Sequence, residues 1–230
     1  MPQPFVTTGW IKICGVRDAA STEAARSAGA SAIGLNFFAK SPRGIEPDQA
    51  ARLVATLPTE TVQPVGLFVN HSLSDIESIA AHAGLNAIQL HGDEPPAFVA
   101  ELQQRHPDWT ILKAFRVGDN LRPVANFLAE CERLNVRLGG CLLDARVEGA
   151  FGGTGVVAPW ELIAREYDRA QWPPLILAGG LTPDNVAAAI EQVRPAGVDT
   201  ASGVELSPGV KDTTLIARFV AEARRAFAAT

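Results

Sequence analysis

The sequence predicts an α/β fold, a single (β/α)8 TIM barrel, on three observations. Short apolar runs alternate eight times with longer Ala-, Leu-, Glu- and Arg-rich stretches, which is the rhythm of βαβ units. Most runs are almost continuously apolar, as parallel strands buried on both faces are. Two glycine turns, Leu177-Ala178-Gly179-Gly180-Leu181 and Ala201-Ser202-Gly203-Val204-Glu205, close the last two runs. Barrels of this architecture carry a phosphate site at that place. A doubly wound sheet also alternates β and α, but eight equal units with no added domain favour closure.

Residues 1–8 read as a loosely ordered N-terminal extension of one domain spanning 1–230. The predicted strands are Trp10–Ile13, Ala32–Asn36, Pro64–Val69, Ala87–Leu90, Thr110–Phe115, Gly140–Asp144, Leu175–Ala178 and Gly197–Thr200. Asp18 is the expected N-cap of a helix over Ala19–Ala28, and Gly29 its stop. Ser74-Asp75-Ile76-Glu77 reads as a capping box. Thr182-Pro183 sets a capping hydroxyl before a proline at the first helical position. Asp212 or Lys211 opens the last helix, where Leu215, Ile216, Phe219, Val220 and Ala223 recur at helical spacing. The longest irregular segment is the glycine-rich Ala145–Ala158, and long loops inside compact domains are usually functional or mobile.

Composition excludes several classes of function. The chain is 47% hydrophobic with a net charge of −5 and no dense Lys/Arg stripe, which argues against a nucleic-acid partner. Cys14, Cys131 and Cys141 are too few and scattered for a disulfide framework or a zinc cluster. His71, His82 and His106 lack metal-ligand spacing, so no metal is expected. The first residues do not form a secretory signal, and no apolar run reaches the roughly 18 residues of a membrane span. A cytoplasmic protein with neither membrane nor nucleic-acid partner is the expectation; its oligomeric state, monomer or homodimer, is not legible. Gly152-Gly153-Thr154-Gly155 lacks the spacing of a dinucleotide fingerprint.

In a barrel the active site lies at the C-terminal ends of the strands. Cys14 ends the first strand just before a helix start; it is either a small buried hydrophobe or a thiol whose pKa the helix dipole lowers. Asp144 ends the sixth strand and either caps the next turn or faces the pocket as a proton donor. Arg43 is either a solvated loop residue or a fork for a carboxylate or phosphate. Gln89 and His91 are candidate pocket-lining residues. Lys113 is either a Schiff-base lysine or, the preferred reading, a strand lysine holding a carboxylate inside the barrel. Gly179, Gly180, Ser202 and Gly203 are the candidate phosphate-binding residues.

The chain resembles the phosphoribosylanthranilate isomerase family along nearly its whole length. The resemblance rests on Lys12-Ile13-Cys14-Gly15, Ser41-Pro42-Arg43, Val65-Gly66-Leu67-Phe68-Val69-Asn70, Gln89-Leu90-His91-Gly92, Leu142-Leu143-Asp144, the glycine segment 152–155, and both C-terminal turns with Ser207-Pro208-Gly209. It implies an Amadori rearrangement of a small phosphorylated aminosugar in tryptophan biosynthesis, without cofactor or metal. Asp144 would be the general acid, Cys14 the general base and Arg43 the holder of the anthranilate carboxylate. The family often has Asp-Val-Ser-Ser-Gly where this chain has Asp199-Thr200-Ala201-Ser202-Gly203, so Ala201 removes one hydroxyl near the phosphate. Two further readings stand beside it. In one, an indole-glycerol-phosphate synthase, Lys113 would be the essential acid; in the other, the chain is a silent phosphate-ligand binder.

Overall fold

Eight parallel strands close into a barrel in chain order in the computed structural model, which describes residues 5–58, 61–144 and 160–230. The elements run β1 (Trp10–Cys14), α1 (Ala19–Ala28), β2 (Ala32–Asn36), α2 (Pro47–Val54), β3 (Gln63–Phe68), α3 (Leu73–Ala83), β4 (Ala87–Leu90) and α4 (Pro96–Arg105). They continue with β5 (Thr110–Arg116), α5 (Arg122–Arg133), β6 (Gly140–Asp144), α6 (Trp160–Glu166), β7 (Leu175–Ala178), α7 (Val186–Val193) and β8 (Gly197–Thr200). A short antiparallel hairpin, β9 (Glu205–Ser207) and β10 (Val210–Lys211), precedes α8 (Thr213–Ala229). α8 packs between α1 and α7 and so completes the ring of helices. Strand positions follow the apolar runs; β1 and β5 extend one residue further, and β3 is displaced one residue toward the N-terminus. The expected loop Ala145–Ala158, with Gly152-Gly153-Thr154-Gly155, lies outside the described residues.

Alternation along each strand builds two cores. Trp10, Ala32, Val65, Ala87, Leu112, Ala114, Leu142, Ile176 and Ala178 fill the barrel interior. The intervening residues, such as Ile11, Ile13, Ile88, Ile111 and Leu143, meet the helices. The same parity aims the polar exceptions Lys12, Cys14, Asn36, Gln89 and Asp199 inward.

Local signals explain most helix ends. Asp18 caps α1 by accepting from Ser21 N at 2.8 Å, and Gly29 ends the helix at φ +85°. Asp212 accepts from Thr214 N and Leu215 N at the start of α8; Lys211 is instead a buried residue of β10. Two expected starts are displaced. α3 is capped by Ser72, not Ser74: Ser72 Oγ accepts from Asp75 N at 3.1 Å and donates to Asp75 Oδ2 at 2.6 Å. The earlier start brings Leu73 into the helix, where it packs on the core. α7 begins at Val186, so Pro183 is not its first helical residue. Residues 182–185 form a preceding turn in which Thr182 Oγ1 accepts from Asp184 N and Asn185 Oδ1 accepts from Thr182 N. Of the expected loose extension, residues 5–8 are described, and Val6 is only 2% exposed against the barrel interior.

The turns after β7 and β8 lie against each other. Thr200 Oγ1 donates to Leu181 O at 2.7 Å, and a Cβ on Gly203 would overlap that carbonyl group. Gly203→Ala should therefore reduce the unfolding free energy by about 2–3 kcal/mol, read by urea denaturation; unchanged stability would contradict this close approach.

Candidate active site

The C-terminal mouth of the barrel holds a cavity of about 290 Å³. Cys14, Arg43, His91, Asp144, Gly179, Gly180 and Ser202 all line it. Asp144 and Cys14 end β6 and β1, so the turns after β7 and β8 lie between them. Gly180 has φ +68°, and a Cβ there would meet nothing within 4 Å. Two expected residues do not line the cavity. Gly203 packs on Leu181, and Gln89 is fully buried within β4, two residues before His91.

Cys14 is 6% exposed. Burial pushes its thiol above the ordinary value, while the charges of Lys12 and Lys211 pull it down and that of Asp199 raises it. The expected lowering by the α1 dipole is not seen; the Asp18 carboxylate already occupies that helix start, and desolvation outweighs the remaining field. Lys12 lies in the barrel interior, fully buried, with Nζ 2.8 Å from Asp199 Oδ1. Burial alone would lower its pKa, but Asp199 and Cys14 outweigh that and raise it. A Cβ on Gly34 would meet Cys14 Sγ at 2.8 Å and Lys12 Cε at 3.0 Å; the missing side chain is the space these groups occupy. Cys131 and Cys141 are buried on the helix side of the wall, where burial pushes their thiols up to about 11 and about 12.

Arg43 is held by the end of β2. Asn36 Nδ2 donates to Ser41 Oγ at 3.1 Å, and Ser41 Oγ accepts from Arg43 N at 3.1 Å. Gly15, at φ +75°, leaves room for the arginine stem, since a Cβ there would meet Arg43 Cδ at 2.8 Å. Arg43 Nε donates to Glu205 Oε1 and Nη2 to Glu205 Oε2, each at 2.7 Å, and Lys211 Nζ adds a bond to Oε1 at 2.9 Å. The side-on fork is thus engaged within the protein; the end-on edge of the guanidinium is the part that can meet a ligand. Burial would raise the Glu205 pKa, but the bonds from Arg43 and Lys211 hold it below the ordinary carboxylate value. Burial also lowers that of Lys211, so the permanently charged Arg43 is the more secure counter-ion.

Lys113 does hold a carboxylate, Glu94, at 3.2 Å. The pair lies outside the barrel wall, because Leu112 and Ala114 take the inward positions. Its ammonium stands 5.5 Å and 5.8 Å from the Phe115 and Phe127 rings. Glu94 accepts from Asn70 N and Gly92 N, tying together the loops on either side of His91. Burial lowers the His91 pKa, partly opposed by the charge of Asp144. Gln89 Nε2 lies 2.9 Å from His91 Nδ1; with this amide as donor, Nδ1 accepts and Nε2 carries the proton. Among the described residues no three His, Cys, Asp or Glu side chains gather as a metal site, and no helix is long and apolar enough to cross a membrane.

The sequence reading missed Lys12, Asn36, Glu94, Asp199, Glu205 and Lys211 as site-building residues. For Lys12, Asn36 and Asp199 the available signal was a charged or amide side chain at an inward position of an otherwise apolar strand; Glu94 lies in a loop and Glu205 and Lys211 in the β9–β10 hairpin, where no such pattern marks them. Arg116 ends β5 and also lines the cavity.

Residues 11–222 match the model of the N-(5'phosphoribosyl)anthranilate (PRA) isomerase family. An N-(5'-phosphoribosyl)anthranilate isomerase of Trichlorobacter lovleyi is 42% identical over 94% of this chain and 98% of its own. One from Roseiflexus is 47% identical over 94% and 98%. The crystal structure of phosphoribosyl anthranilate isomerase from Thermotoga maritima superposes with a TM-score of 0.81 at 36% identity, covering 94% of this chain and 98% of that one. A structure of such an enzyme in complex with reduced 1-(o-carboxyphenylamino)-1-deoxyribulose 5-phosphate superposes at 0.78, again at 36% identity with the same coverage.

Since the folded Glu205 pKa is depressed, its stabilising contribution is full above about pH 4.3 and lost as the pH falls through the lower folded value. Glu205→Gln should cost on the order of 2 kcal/mol at pH 7, and less in acid, where the wild-type carboxylate is also neutralised. Thermal unfolding at both pH values checks this; a pH-independent deficit would contradict it.

Proposed function

The chain belongs to the N-(5'-phosphoribosyl)anthranilate isomerase family, and from that membership we propose how its own residues carry the reaction. The activity is the Amadori rearrangement of N-(5-phosphoribosyl)anthranilate to 1-(2-carboxyphenylamino)-1-deoxyribulose 5-phosphate in tryptophan biosynthesis. The observation that carries the assignment of roles is the shared cavity. A sulfur and a carboxyl from β1 and β6 line one space, with the two glycine turns between their strands.

In the proposed sequence, Asp144 donates a proton to the furanose ring oxygen. The bond from that oxygen to the first sugar carbon breaks, and the anthranilate nitrogen's lone pair forms an iminium. The iminium acidifies the proton on the second sugar carbon. Cys14, as thiolate, takes that proton, and the electron pair neutralises the iminium to give an enolamine. The enolamine becomes the ketone when its first carbon gains a proton and its enol oxygen loses one. Each positioned acid or base contributes about 10²–10⁴-fold.

The remaining residues bind and orient. Backbone amides of Gly179, Gly180 and Ser202 receive the phosphate, with Gly203 holding the second turn against the first, and that binding is converted into alignment of the reacting carbons. Ala201 contributes no hydroxyl there, so the backbone carries this contact. Arg43 takes the anthranilate carboxylate on its end-on edge while Glu205 holds its other edge. His91 offers its Nε2 proton to the cavity, with Gln89 fixing the ring. Lys113 does not line this cavity, which disfavours the reading in which a lysine is the acid.

Cys14→Ser and Asp144→Asn should each lower kcat/KM by about 100-fold or more with the unfolding transition unchanged; a normal rate in either refutes its role. Because burial holds the Cys14 thiol high, kcat/KM in the wild type should keep rising with pH from about 6 to 9. A flat profile there, with chemistry limiting, would contradict a thiolate base.

A further inference from the structure

The pair formed by Lys12 and Asp199 has no part in the steps above, yet it adjoins the sulfur. Lys12 and Cys14 are two residues apart on β1 and share its inward face. Lys12 and Asp199 are register partners across β1 and β8. Gly34 leaves open the point that both Cys14 Sγ and Lys12 Cε flank. The ammonium is sealed from solvent, whereas Asp199 reaches the cavity wall. A lysine so buried stays charged only beside an anion, and an ammonium next to a thiol favours its ionised form.

We propose that Lys12 is the counter-ion of the Cys14 thiolate and that Asp199, by keeping Lys12 protonated, makes it so. Both are positioning residues, and the inference rests on Cys14 acting as the base. No bond to either changes during turnover. The thiol loses its proton to water at the cavity mouth, the thiolate takes up the sugar-carbon proton, and Lys12 keeps its charge throughout. Other charges face this group. Lys211 from β10 favours the thiolate; its own partner Glu205 and Arg43 offset each other across their fork. His91, immediately after β4, feels the charge of Asp144 on β6 more strongly than those of Lys12 and Asp199. Of these, Lys12 acts most strongly in favour of the ionised sulfur, and Asp199 opposes it more weakly.

That ordering yields a test that a merely structural role would not satisfy. The pH dependence of iodoacetamide alkylation at Cys14, followed by peptide mass spectrometry, reports the ionisation midpoint of the sulfur. Lys12→Met should raise the midpoint by about one pH unit or more, because Asp199 then acts unopposed. Lys12→Met/Asp199→Asn should bring it partway back, leaving it above the wild type. The acid limb of kcat/KM should move with the midpoint in each variant while KM stays unchanged. A wild-type midpoint in Lys12→Met, or no recovery in the double variant, overturns the proposal. If Lys12→Met alone does not fold, the double variant decides: a midpoint above the wild type supports the proposal, and an equal one overturns it. Normal turnover in Cys14→Ser would remove the base assignment, whereas the alkylation series still reads the effect of Lys12 on the sulfur.

Discussion

Closure of β1 onto β8 is the constraint from which the site's geometry follows. That seam sets Lys12 against Asp199 inside the barrel. Neither charge is tolerable there without the other, because desolvation of a lone buried ion costs several kcal/mol. A shift of one residue would turn Asp199 toward the helices and leave Lys12 unpaired, so the pair specifies the register. Cys14 lies two residues beyond Lys12, and Thr200 immediately follows Asp199. Fixing the seam therefore fixes the sulfur relative to the turn at Ser202.

Several glycines around the site act by making space. Gly15 admits the Arg43 stem, Gly34 the sulfur and lysine, and Gly203 the Leu181 carbonyl. Gly209 in the β9–β10 hairpin comes close to the Pro42 carbonyl group and brings the last loop against the arginine loop. Glu205, at the start of the same hairpin, then reaches Arg43. Residues more than 160 positions apart in sequence are thus held by one ion pair and one close backbone approach. This arrangement suits a site that must orient a ligand by both of its charged ends.

The barrel was legible because its signals are local: apolar runs, alternation, and caps such as Asp18 and Asp212. Displaced helix starts at Ser72 and Val186 show the limit of that reading. Adjacent serines offer equivalent caps until packing of Leu73 chooses between them, and a Thr-Pro pair can open a turn as readily as a helix. Among the cavity-lining residues, Cys14 and Asp144 stood out because they end strands, His91 because it follows one directly, and Arg43 as the one arginine of the loop after β2. Lys12 and Asp199 did not, since their meaning depends on which strand lies beside which. The position of Lys113 was misread for the same reason: whether it faces the interior or the helices depends on the parity shared with Leu112 and Ala114. The chemical roles came through the family resemblance, which the 42% and 47% identities to curated relatives support, while the environment of each group came from three-dimensional packing.

The most direct test is a crystal structure of this protein with the reduced product analogue bound. The account predicts the phosphate on the turns after β7 and β8, with Cys14 Sγ and Asp144 on either side of the sugar carbons and the carboxylate at the free edge of Arg43. A ligand whose phosphate lies elsewhere, or whose second sugar carbon is out of reach of the sulfur, would contradict it.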